Sequence, residues 1–162
     1  MLMQSDDKMV SQAVEVQLAQ RTRGVSSGTI VATLEGYLPV EFLSVGDRIV
    51  TRNGMRRLLA VDRREQVRAP VVRIAPDTLG SGRPDVLLVV GPAQMLLVRD
   101  WRAQALWGRV EAVVPARRLV DGSLIRDGVL ASAQFLTLHF AGDEVIYAEG
   151  VEIACAPQKV SA

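Results

Sequence analysis

One stretch restricts the fold more than any other: GTIVATLEGYLPVEFLSVGDRIVTRNG, residues 28–54. Thr29-Ile30-Val31-Ala32-Thr33 is β-branched and apolar, the composition of a half-buried strand. Glu35-Gly36 ends it. Pro39 fixes φ and has no amide to donate, so it suits the start of a corner. Gly46-Asp47 marks a second turn, and Arg48–Arg52 alternates polar and apolar with period two. Asn53-Gly54 predicts a two-residue type I′ turn returning the chain into a strand over Met55–Asp62. Turns this close together leave no length for a helix.

The rest of the chain extends the pattern. Arg63-Arg64-Glu65-Gln66 reads as a polar link, and Val71–Ile74 as a strand. DTLGSGRP, residues 77–84, has the glycines and proline of a surface loop. Asp85–Val90 is a continuous apolar run, as in a strand buried on both faces. Gly91-Pro92 interrupts it and Met95–Val98 resumes it. Trp101 and Trp107 bracket a short stretch with some helical character. Val110–Val114 is a strand, and Ala116–Val120 a turn before Asp121-Gly122. Phe135–Phe140 and Glu144–Ala148 are expected to pair as a hairpin around Ala141-Gly142-Asp143. No internal repeat has a detectable period. Short strands with turns between them predict an all-β domain, with no helix beyond three turns over residues 28–154.

Both ends differ from this body. Residues 1–23 contain Met9, Val10, Ala13 and Val14 at helical spacing, while Val14, Val16 and Leu18 alternate as in a strand. This leader reads as a loose helix or a disordered, mobile tail. Residues 156–162 read as a C-terminal tail.

Composition narrows the class. A chain of 162 residues makes one domain of ordinary size. It is 49% hydrophobic but 4% aromatic, so the core must be aliphatic. Nineteen basic and 18 acidic residues leave a net charge of +1, with no long-range pull toward nucleic acid or anionic membrane. The pairs Arg56-Arg57, Arg63-Arg64 and Arg117-Arg118 suggest a small basic β-barrel that binds nucleic acid. Few aromatics are available for base stacking, and a solvated surface is the simpler reading. The single cysteine, Cys155, can form neither an intramolecular disulfide nor a cysteine zinc site, and reads as a small buried hydrophobe. Gly80-Ser81-Gly82 lacks the helix and lysine of a phosphate loop. No metal or cofactor is expected. MLMQSDDKMV is not a signal peptide, and no run approaches the roughly 20 apolar residues that span a bilayer. These features predict a soluble protein, cytoplasmic by default, with export by a signal-independent route left open.

Three segments together carry a resemblance. Residues 28–54 resemble the opening of the Hint domain of hedgehog autoprocessing domains and inteins, in its bacterial Hint subfamily. Val113-Val114-Pro115-Ala116-Arg117-Arg118-Leu119-Val120-Asp121-Gly122 resembles that subfamily's "LVPA(R/K)HLVDG". Asp143-Glu144-Val145-Ile146-Tyr147-Ala148-Glu149-Gly150 resembles its closing "HEIVxAxG". The matches keep the family's order over residues 24–155. The resemblance implies a flattened, horseshoe-like β fold with pseudo-two-fold halves.

It also implies a reaction, in which a cysteine or serine at the domain's first residue attacks the preceding carbonyl. The position matching that nucleophile is Gly24, which has no side chain. The family's mid-domain S-P-x-H or T-x-x-H matches Gly91-Pro92-Ala93-Gln94. Glycine replaces the hydroxyl residue, and Gln94 replaces a histidine with a group that cannot relay a proton. Later strand positions carrying histidines match Thr137 and Asp143. The only histidine, His139, shares a strand face with Thr137. It either points into the same site or is satisfied by one local hydrogen bond. Cys155 follows Ala154, not the His-Asn pair of an intein exit.

The resemblance therefore implies a degenerate, non-catalytic Hint domain acting as an interaction or structural module, with another protein of unspecified identity as its partner. Two alternatives stand beside it: self-processing through Ser26 or Ser27, and the nucleic-acid-binding barrel. On the first reading, Gly24→Cys with Gln94→His is expected to return some thiol-dependent cleavage.

Overall fold

The computed structural model describes residues 2–158, with side chains from residue 7 onward. Helix α1 (Leu2–Arg21) comes first. Strands β1 (Val25–Ser26), β2 (Ile30–Thr33), β3 (Gly36–Pro39), β4 (Arg48–Thr51), β5 (Gly54–Arg57) and β6 (Ala60–Ile74) follow. Next come β7 (Leu88–Val90), β8 (Met95–Val98), helix α2 (Trp101–Trp107), β9 (Ala112–Pro115), β10 (Ile125–His139), β11 (Glu144–Ala148) and β12 (Val151–Cys155). The domain after α1 is all-β, its one α-helix being two turns long.

Two β systems share one core. Strands β1, β10, β6 and β7 close into a ring, because β1 pairs with both β10 and β7. Strands β3-β2-β4-β11-β12-β8-β9 form the second sheet, with β5 added against β4. The core is aliphatic: Leu43, Ile49, Leu58, Ile74, Leu88, Leu96, Ile125, Ile146 and Ile153 are all fully buried.

The halves repeat a device too short for a period scan. Leu38-Pro39-Val40-Glu41-Phe42-Leu43 and Val114-Pro115-Ala116-Arg117-Arg118-Leu119 each end a strand at a proline and enter a 3₁₀ turn. Each buries the residue after the proline and the leucine three further on. Proline suits both corners because the φ values there are −57° and −70°.

Several local expectations need correction. The β4–β5 turn is centred on Arg52-Asn53, not Asn53-Gly54, because Thr51 pairs with Gly54. Gly54 follows the turn with φ +93°. Asn53 belongs inside it because its side-chain amide donates to Glu144 Oε2 at 3.1 Å. The β2–β3 turn is built alike: Thr33 pairs with Gly36, and each threonine hydroxyl donates to its glycine's carbonyl at 2.7 Å.

Met55–Asp62 is not one strand. It breaks at Leu58-Leu59, where buried Leu58 turns into the core. Arg63–Gln66 is not a link but the middle of β6, paired residue by residue with Leu136–Ala133. Arg63, Arg64 and Glu65 are exposed in succession, so their stretch of β6 carries no period-two signal to read. The run before Gly91 is a strand only over Leu88–Val90, and Val86 and Leu87 are exposed. Finally, β10 and β11 do not form a hairpin. β10 pairs with β6 and β1, while β11 pairs with β12. Buried Phe140 anchors the crossing between the two systems, and Pro157 bridges beside it. Residues 159–162 of the expected tail lie outside the described residues.

Candidate functional site

The ring and the sheet meet at a corner where the chain leaves α1. Thr22 closes the helix, its amide and hydroxyl both donating to the Leu18 carbonyl. The next residues are clamped by the turn between β7 and β8. The Ala93 amide donates to the Thr22 carbonyl, and the Gly91 amide to the Gly24 carbonyl, each at 2.9 Å. The Gly24 amide donates to Gln94 Oε1, also at 2.9 Å. Gln94 Nε2 in turn donates to the Met95 and Ala154 carbonyls, both at 3.1 Å. Residues beyond β9 hold the turn from behind, through Ala116 to Gln94 and Arg117 to Pro92.

The corner has no room for further atoms. A Cβ on Gly91 would lie 2.4 Å from the Thr22 carbonyl oxygen. A Cβ on Gly24 would lie 2.9 Å from the Leu136 carbonyl oxygen and 3.1 Å from Thr137 Oγ1, at a φ of +103° that side chains resist. The double substitution that the sequence suggests for reviving cleavage thus meets a steric obstacle at Gly24.

An open groove of about 1190 Å³ runs from this corner. Arg23, Gln94, Thr137, His139, Asp143 and Glu144 are among its walls. His139 sits inside it, with Nε2 at 2.8 Å from Asp62 Oδ2 and Nδ1 at 3.3 Å from the Ala156 carbonyl. Each ring nitrogen thus lies beside an oxygen, one of them on a residue 77 positions away, rather than the ring making one local bond. Glu144 is buried and accepts from Asn53 Nδ2 and from Arg56 Nε, so it ties the β4–β5 turn to the groove. Neither its role nor that of Asp62 was visible in the sequence, because both act through partners at least 77 residues away.

Cys155 lies on the groove wall but is buried. Burial, and next the charge of Glu144, push its thiol up to about 12, so it carries almost no thiolate at neutral pH.

Ser26 and Ser27 fall elsewhere. Ser26 pairs with Phe135 in β1, and the Ser27 amide donates to the Gln134 carbonyl at 3.0 Å. Neither serine lines the groove, and Gln94 bonds Gly24 instead. The acid beside Ser27 is Glu41. Its burial raises the carboxyl pKa, but bonds from the Gly28 amide, its own amide and Ser27, with the charge of Arg63, bring it below its ordinary value. A carboxylate so stabilised is a weak base.

The arginine pairs are partly tied into the fold: Arg56 reaches Glu144, and Arg63 donates to the Glu41 and Leu43 carbonyls. Among the described residues, no group of three or more His, Cys, Asp or Glu is placed to hold a metal ion. No helix there is long and apolar enough to cross a membrane.

Ring, sheet and clamped corner define a class: a single all-β domain in which a long two-strand ribbon of β6 and β10 belongs to the ring and a second sheet packs on the same core. The family profile of the Hint domain matches residues 24–155, and the chain belongs to the Hint domain family. Solved structures agree on the fold. MchDnaB-1 intein (N145AA) is 15% identical, with 82% of this chain and 98% of that one covered at a TM-score of 0.54. A bacterial intein-like domain from Clostridium thermocellum is 13% identical, with 83% and 98% covered at 0.53. Ssp DnaB mini-intein variant M86 is 8% identical, with 88% and 99% covered at 0.54. No curated protein sequence matches the chain.

Proposed function

We propose that residues 24–155 form a degenerate Hint domain that holds its chain at Gly24 without cleaving it and serves as a structural or interaction module. One observation carries this reading. The Gln94 side chain, at the position where the family resemblance implies a proton-relaying histidine, spends its amide on three static bonds to Gly24, Met95 and Ala154. Gln94 does not titrate, so the contact to Gly24 is a clip and not an acid–base pair. Gly24 offers no nucleophile and its surroundings admit none without backbone movement. The vestigial positions Gly24, Gly91, Gln94 and Thr137 converge on one corner, which supports reading them as one former site. Ser26 and Ser27 stand outside the groove, and the carboxylate beside Ser27 is a weak base.

The test is intact mass spectrometry of the purified chain after incubation with and without dithiothreitol. The expected result is a single full-length mass under both conditions. A fragment beginning at residue 24, 26 or 27 overturns the non-catalytic reading.

A further inference from the structure

Helix α1 projects from the domain and leaves Asp7–Gln17 exposed, Met9, Val10, Ala13, Val14 and Val16 among them. The side toward the domain is marked by half-buried Leu18 and Ala19, buried Thr22, and Glu15, which reaches Arg68 of β6 at 3.6 Å. At 100° per residue, Met9, Val10, Ala13, Val14 and Val16 lie elsewhere on the helix. Met9, Val10, Val14 and Val16 are 66%, 63%, 57% and 57% exposed. A helix on a globular domain ordinarily does the reverse and lays its apolar stripe on the core.

Charge along the helix identifies what covers that side. Asp7, Val10, Val14, Gln17 and Arg21 follow one another at intervals of three and four residues, so they form one stripe. All five are exposed. The stripe is acidic at its start, apolar in the middle and basic at its end. Such an order complements itself only when two copies run antiparallel. A two-fold axis through Val14 then sets Val14 against its counterpart, Val10 within one turn of Gln17 of the other copy, and Asp7 against Arg21. Parallel pairing would instead place Asp7 on Asp7. The domain joins the helix at its C-terminal end, so antiparallel pairing sets the two points of attachment about 20 Å apart, at opposite ends of the overlap.

We propose that a second copy of this chain covers this stripe, forming an antiparallel homodimer through α1. The inference is independent of whether the Hint domain has any chemistry.

Sedimentation velocity across a concentration series tests it on the full chain. The expected result is a dimer that dissociates on dilution. Asp7→Arg alone and Arg21→Asp alone are each expected to weaken it roughly tenfold, because two symmetry-related pairs become repulsive. The double exchange is expected to restore it. Val14→Asp, which sets like charges on the axis, is expected to leave monomer, and circular dichroism checks that the helix persists in every variant. A parent chain that is monomeric at every concentration overturns the proposal. So does a dimer that Asp7→Arg leaves unchanged, or one that the double exchange fails to restore.

Discussion

At the hairpins, a Cβ on Gly36 would meet nothing within 4 Å, and one on Gly54 only the flexible end of Arg56 at 3.9 Å. At the corner, a Cβ on Gly24 or Gly91 runs into backbone at 2.9 or 2.4 Å. The same residue type is thus present for different reasons. Gly36 and Gly54 have φ of +107° and +93°, and what they supply is conformation. Gly91 has no positive φ, and what it supplies is space for the Thr22–Arg23 peptide to press against the turn. Gly24 supplies both. On the proposed reading, loss of the reactive side chains and closure of the space they would occupy went together, so the corner is now held shut by its own backbone bonds.

Substitutions sharpen this contrast, beginning with the largest expected effect. Gly91→Ala is expected to destabilise the fold by about 3 kcal/mol, because the clash is with backbone that is itself hydrogen-bonded. Chemical denaturation measures it, and a loss as small as that at the hairpins would break the contrast. Gly24→Ala is expected to lose about 2 kcal/mol, combining a positive φ with a tight contact that a shift of β10 can partly relieve. Gly54→Val is expected to lose about 1 kcal/mol and Gly54→Asn only a few tenths, since asparagine tolerates positive φ and the space is open. Equal losses for Val and Asn would mean that space, not conformation, governs that turn.

The smallest effect concerns pH. Cys155 has its folded pKa raised from 9.0 to about 12, chiefly by burial. Its protonated thiol therefore contributes stability in full below pH 9. That contribution is lost as pH rises from 9 toward 12, where the unfolded thiol ionises and the folded one does not. Thermal melts across that window are expected to decline more steeply for the parent chain than for Cys155→Ala. Parallel declines would show that the thiol is not insulated.

Much of the body was legible residue by residue. The β-branched runs Ile30–Thr33 and Arg48–Thr51 form strands, and the aliphatic composition makes an aliphatic core. Pro39 and Pro115 stand at corners. These succeed because φ restriction and period-two burial act within a few residues. The long ribbon of β6 and β10 was not legible. Arg63, Arg64 and Glu65 are exposed one after another, and their strand exists only because Gln134–Leu136, far along the chain, supply the partner edge.

For the site, the sequence by itself determined what the side chains can do: Gly24 and Gly91 carry no reactive group, and Gln94 cannot titrate. Only the tertiary structure decided how those positions are filled. Gln94 meets the Gly24 amide across 70 residues of chain, and His139 takes up Asp62 across 77. The part of α1 left exposed was decided in the same way, by where the domain meets Leu18, Ala19 and Thr22. Composition and spacing fix what a side chain can do, but its partner depends on which distant backbone the fold brings within about 3 Å.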